Sequence, residues 1–194
     1  MKFHLAALAV LIGTASIACA QTTTLNLDPN HSEADFSIKH MEISRVHGQF
    51  SQITGTIVLD TKDMAKSSVD AVIPINTVNT GVAMRDNDLR GKDFFNVAQF
   101  PTMTFKSTSV TPDSGGYKVI GNLTMHGVTR PVTLQMDAPS KPITLQGHIH
   151  RGFQATTTLN RKNFGLNWNG LLPDGDAMIG NNVRITLDVE GIQK

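Results

Sequence analysis

Hydrophobic and polar residues alternate along most of the chain. Ala34, Phe36, Ile38 and His40 alternate with Asp35, Ser37 and Lys39, the period of a β-strand with one buried face, so His40 continues the inward side. Val46, Gly48 and Phe50 make a second run, resumed by Gly55, Ile57 and Leu59 after a break near Ser51 to Thr54 that predicts a bulge or bend. Val69, Ala71, Ile73 and Ile75 form the next inward set, and Pro74 argues for an edge or bulged position. Pro112 to Gly116 reads as a turn, after which Tyr117, Val119, Leu123 and Met125 alternate. His126-Gly127 suits a two-residue hairpin that pairs Met125 with Val128 and continues through Val132, Leu134 and Met136. Pro139 and Pro142 mark a loop. Ile143, Leu145, Ile149, Phe153, Ala155 and Leu159 share one parity, which turns His148 and His150 outward. Asn160 to Gly175 is rich in Gly and Asn and loop-like, and Ala177, Ile179, Val183, Ile185, Leu187 and Val189 close the chain as a last strand.

One stretch departs from this period. Thr80 to Gly91 reads as a helix, with Thr80 as the capping side chain and Gly91 as its end. Helical spacing places Arg85 and Asp86 beside Val82 and Leu89 on one face, so charged groups border the apolar stripe and require partners. The aromatic residues Phe94, Phe95 and Phe100 follow, and Pro101 forces Phe100 into an extended conformation, so that Met103 and Phe105 belong to a new half-buried strand. A short charged helix, a greasy connector and a strand describe either a lid at the mouth of a β structure or an ordinary crossover. With no repeat, linker or second helix, the pattern predicts one antiparallel β domain, a barrel or a sandwich. An eight-stranded barrel is the size that either fills with side chains or encloses one small ligand. Phe36, Ile38, Met103, Phe105, Leu123, Met125, Leu134, Leu145, Phe153 and Ile185 would face that interior.

Residues 1–20 read as a cleaved secretory signal: Lys2 at the positive start, an apolar core from Leu5 to Ile12, and Ala18-Cys19-Ala20 as the small-residue cleavage site. Residues 21–194 would be the mature domain. Lipid attachment at Cys19 is the rival reading, weakened by the absence of a leucine three residues before it. The full chain carries a formal charge of +1, and loss of Lys2 would leave it neutral, with no basic run to grip nucleic acid.

Little in the sequence points to catalysis. No GxSxG elbow, phosphate-cradling glycine loop or cysteine cluster is present. His148 and His150 have a spacing that can ligate zinc or copper, but two ligands are too few, so no metal site is expected. Met103, Met125 and Met136 lie on inward faces, where methionine fills a core. The enzyme alternative is a reaction on a small apolar substrate, with Arg85, Asp86, His31 or His40 as acid, base or anion clamp.

DPNHS (28–32), FSIKH (36–40), RDNDLRGKDFFNVAQFPTMTFKS (85–107), GNLTMHGVTRPVTL (121–134) and RKNFGLNW (161–168), in this order, resemble the YceI-like family of polyisoprenoid-binding proteins. The resemblance implies an all-β, extended, eight-stranded antiparallel lipocalin-like barrel with a short helical lid. It also implies an apolar interior that takes an isoprenoid or prenyl quinone, homodimers, a periplasmic location and transient contact with a membrane or membrane protein. No cofactor is required by it. His31, Phe36, His40, Arg85, Asp86, Leu89, Phe94, Phe95, Phe105, Leu123, His126, Gly127 and Arg161 match the family pattern. The expected ligand site is Phe36, Ile38, His40, Arg85, Asp86, Leu89, Phe94, Phe95, Met103, Phe105, Leu123, Met125, Leu134, Phe153 and Ile185, with Arg85 and Asp86 at the head group and Phe94, Phe95 and Phe105 along the tail.

Overall fold

The computed structural model describes residues 22–193. The expected signal segment and Cys19 lie outside the described residues. Strands β1 (Thr22–Leu27), β2 (Glu33–His40), β3 (Ser44–Phe50), β4 (Thr54–Asp60) and β5 (Ser68–Pro74) precede the helix α1 (Ala83–Arg90). After it come β6 (Thr102–Asp113), β7 (Gly116–Met125), β8 (Val128–Met136), β9 (Ile143–Leu145), β10 (His148–Asn160) and β11 (Ile179–Gln193).

All pairings are antiparallel, and β1, β4, β5, β6, β7, β8, β10 and β11 close into an eight-stranded barrel. The barrel is longer than its shortest strands suggest. Along one edge of β11, residues 179–188 pair with β2 and residues 191–192 pair with β1, so β1 and β2 act as one strand interrupted at 28–32. Their partners β3 and β4 are likewise one strand interrupted at 51–53, where the sequence breaks its alternation. The other edge of β11 pairs with β10 from Ile149–Gln193 through Asn160–Asn182. Closing the ring leaves few free edge groups, and the inward parity of each strand then faces a common interior.

Turns follow residue chemistry. His126 and Gly127 have φ of 51° and 74°, the left-handed pair that a two-residue hairpin matched to strand twist demands, and Met125 pairs with Val128. Ser114 and Gly115 repeat this geometry, so the turn is tighter than expected and Pro112 stays in β6 opposite Tyr117.

Four expectations need correction. Gln146 and Gly147 form another left-handed turn (φ 51° and 83°), which ends the presumed continuous strand and makes Ile143 to Leu145 the short outer strand β9. Leu145 is therefore 57% exposed instead of inward, because parity counts do not carry across a hairpin. Pro74 sits at the last position of the interior strand β5, next to a 3-10 turn that needs no ladder donor there, not on an edge. Helix α1 starts at Ala83 with Val82 as its cap residue, which makes no side-chain cap, because the Thr80 hydroxyl is used elsewhere.

Replacing Gly127 by Ala tests the turn chemistry. A Cβ there would meet the Phe100 ring at 2.7 Å on a backbone with φ of 74°, so the expected loss is roughly 1–3 kcal/mol. Urea unfolding reads it as a lower midpoint at unchanged slope.

Candidate ligand cavity and lid

The inward faces of the barrel do not meet in the middle. They enclose an apolar cavity of about 250 Å³. Val183 and Val189 both line it, which on one strand places them roughly 20 Å apart at about 3.3 Å per residue. The cavity is thus long and narrow. It reaches from Met64 and Ser67 at one end to Leu89, Phe94, Phe95 and Leu166 at the other.

Glycines keep this lumen open. The Phe36 ring lies against Gly48, its direct partner on β3, where an added Cβ would stand 2.5 Å from the ring. Phe105 lies in the same way over Gly121 of β7. Each large ring is laid flat on the wall at a position where the neighbouring strand offers no side chain, instead of projecting into the bore.

The lid is built from α1 and the aromatic connector after it. Asp86 is buried, and its Oδ1 accepts from the Thr80 backbone N–H at 2.8 Å and the Thr80 hydroxyl at 2.6 Å. Arg85 donates through Nε to the Thr80 hydroxyl oxygen at 2.8 Å and through Nη2 to the Thr80 carbonyl at 2.9 Å. Arg90 adds bonds to the carbonyls of Asn76 (3.0 Å) and Val78 (2.7 Å). The Arg85 partner is therefore a loop carbonyl and hydroxyl, and the charges on α1 fasten the helix to the 76–80 segment. That segment is itself tied to β3 by mutual bonds between Asn79 and Gln49 at 2.9 and 3.0 Å. Beneath the lid the rings of Phe36, Phe50 and Phe95 pack in sequence, the first pair tilted and the second edge to face, with centroid spacings of 5.6 and 5.5 Å. Phe94 packs on Trp168 at 5.1 Å, joining the lid to the 165–178 loop.

Arg161 holds that loop. Its guanidinium is 5% exposed and borders the cavity, donating to the carbonyls of Gly180 (2.9 Å), Leu166 (2.6 Å) and Trp168 (2.8 Å). Burial pulls its pKa below the ordinary arginine value, though a guanidinium stays charged at any ordinary pH. A buried cation paired only with neutral carbonyls makes the lid end of an otherwise apolar bore electropositive.

Of the expected site residues, Phe36, Leu89, Phe94, Phe95, Met103, Phe105, Leu123, Met125, Leu134, Phe153 and Ile185 line the cavity. Ile38 and His40 do not: they share the face of Phe36, and Ile38 stands opposite Val183, which does line the cavity, so parity reports a side without fixing which side chains border the open space. Arg85 and Asp86 are also off the wall, because Thr80 consumes their polar groups. Arg161 was the wall residue that alternation could not find, since it stands in a 3-10 turn; its place in RKNFGLNW was the one signal. Among the described residues the wall carries no carboxylate, imidazole or thiol, and the Thr157 hydroxyl is engaged with the Thr133 carbonyl at 2.8 Å.

Two substitutions probe this arrangement. Asp86→Ala strands the Thr80 N–H and removes charge-assisted bonds worth about 1.5–3 kcal/mol; amide exchange should rise across residues 80–95 while β6 to β8 stay protected. Gly48→Ala should drive the Phe36 ring off the wall into the bore, at an overpacking cost of about 1–3 kcal/mol, and lower the capacity for long apolar ligands measured by titration.

Residues 25–191 match the YceI-like domain. A UPF0312 protein of Yersinia pestis (strain Pestoides F) is 38% identical over 186 residues, 96% of this chain and 94% of the relative. One of Yersinia enterocolitica is 36% identical over 183 residues, 94% of this chain and 92% of the relative. Among solved structures, Burkholderia cenocepacia BcnA superposes with a TM-score of 0.71 at 21% identity, covering 84% of this chain and 98% of its own. The Campylobacter jejuni YCEI protein gives 0.67 at 27% identity, covering 80% and 90%. A polyisoprenoid binding domain from Saccharophagus degradans gives 0.60 at 17%, covering 89% and 99%. The barrel, its short lid helix and a match over nearly all of the described residues agree: the chain belongs to the YceI-like domain family.

Proposed function

We propose that this barrel binds a long apolar lipid chain of polyprenyl or prenyl quinone type and serves as a carrier or sequestering protein in the periplasm. The observation that carries the reading is the narrow, apolar cavity running roughly 20 Å along the barrel beneath a fastened lid. Burial of each methylene contributes about 0.8 kcal/mol, so a branched hydrocarbon tail is held without specific polar contacts. The tail occupies the bore between β5 to β8 and β10 to β11, and a polar head group sits at the lid end near Arg161 and Trp168, where the wall is electropositive. The likeness to a polyisoprenoid binding domain supports the ligand class, and the secretory pattern of residues 1–20 supports the compartment.

Denaturing extraction of the purified mature chain followed by mass spectrometry should recover an apolar lipid in near-stoichiometric amount. Ligand-stripped protein titrated with prenyl quinones of increasing tail length should bind more tightly with each added isoprene unit until the bore is filled. A stripped protein whose affinity is indifferent to tail length would overturn the reading.

A further inference from the structure

On the outer wall of the barrel, away from the cavity, the interruption between β1 and β2 folds Asp28 and His31 against β10 and β11. The Asp28 N–H donates to the Glu190 carbonyl at 2.8 Å, and the Glu190 N–H donates to the Ser32 hydroxyl at 3.2 Å, so the 28–32 turn is anchored at both ends of the same residue. His31 Nδ1 lies 2.7 Å from Asp28 Oδ2, and His150 Nδ1 lies 2.6 Å from Glu190 Oε1. The donor atoms of Asp28, His31 and Glu190 are all within 4.8 Å of one another. His150, set two residues from Gly152 on the same outward face, bonds Glu190 from behind and stands outside the mutually close trio.

We propose that Asp28, His31 and Glu190 form a binding site for a divalent transition-metal ion of the zinc type, with His150 as the outer partner that orients Glu190. One imidazole and two carboxylates, with water in the open position, are a donor set that such ions take, and their charges offset those of the ion. Ligands about 2.0–2.1 Å from a tetrahedral ion stand roughly 3.3 Å apart. The His31–Asp28 contact of 2.7 Å therefore needs to open by only about 0.6 Å for an ion to replace the shared proton. Three of the four side chains are held in place by the wall, with exposures of 12% for Asp28, 20% for His150 and 31% for Glu190, whereas His31 is 66% exposed and forms the open side through which an ion enters. His148, exposed one pleat further along β10, is outside the cluster. None of the four residues lines the lipid cavity, so the site stands independently of the lipid reading. Its effect on the fold is to clasp the interrupted strand to β11. The ion-free alternative is that the same residues remain two hydrogen-bonded couples performing that clasp by themselves.

The test uses the mature chain without an affinity tag, treated with chelator and titrated with zinc chloride by calorimetry and with cobalt chloride by visible absorption. The expected result is about one ion per chain and cobalt bands of a low-coordinate nitrogen and oxygen site. His31→Ala and His150→Ala should each weaken binding by at least 10-fold, since losing even an outer partner of a ligand costs 10–100-fold, whereas His148→Ala should bind like the unmodified chain. Glu190→Gln, which keeps the side-chain shape, should also lose affinity while circular dichroism shows the barrel intact. Absence of saturable binding, unchanged affinity in both His31→Ala and His150→Ala, or an equal loss in His148→Ala would overturn the assignment.

Discussion

Closure of the sheet through β11 is the constraint on which the rest of the molecule depends. This strand pairs along its whole length with β10 and shares its other edge between β2 and β1. An open sheet could not hold a long apolar bore, because its inner face would either collapse onto a second layer or meet water. Once the ring is closed, backbone donors and acceptors are satisfied around the circumference, and the inward side chains can leave space without exposing polar groups. The interruptions at 28–32 and 51–53 let two chain segments serve as one long strand, which lengthens the bore without lengthening any single run of alternating residues.

The two ends of this bore are treated differently. At the lid end, charged side chains border the apolar stripe and are hydrogen-bonded locally by backbone groups: Asp86 by the Thr80 N–H, Arg85 and Arg90 by loop carbonyls, Arg161 by the Leu166 and Trp168 carbonyls of the closing loop and the Gly180 carbonyl of β11. Such bonds are individually modest but directional, and they fix irregular backbone that hydrophobic packing alone would leave undefined. The walls rely on packing instead. There the pairing of large rings with glycines decides how much lumen remains.

This division has a functional consequence. A lid held by a handful of polar bonds over an aromatic stack can open locally at a small fraction of the cost of unfolding the barrel, as ligand entry requires. On the proposed lipid-binding reading, the wall would contribute affinity through buried area and the electropositive lid end would bear on what terminates the tail.

Periodicity alone was sufficient for the inward faces: Met103, Phe105, Leu123, Met125, Leu134, Phe153 and Ile185 were legible because a strand repeats every two residues whatever its partners are. The glycine-marked turn at His126-Gly127 was legible because few residues accept a positive φ, and the helix was visible as a change of period. The resemblance chose the barrel over the sandwich, a choice local patterns leave open. Only the tertiary structure decided which inward residues border the cavity, Ile38 and His40 not among them, and which polar groups meet. Thr80 was read as a cap and became the partner of Arg85 and Asp86. Arg161 became a wall residue through carbonyls that arrive from a separate loop, and Asp28, His31, His150 and Glu190 come together from distant parts of the chain. The physical reason is common to all of these: alternation is a property of one strand, whereas depth, closure and polar partnership arise from register between strands that the chain brings together only when the ring shuts.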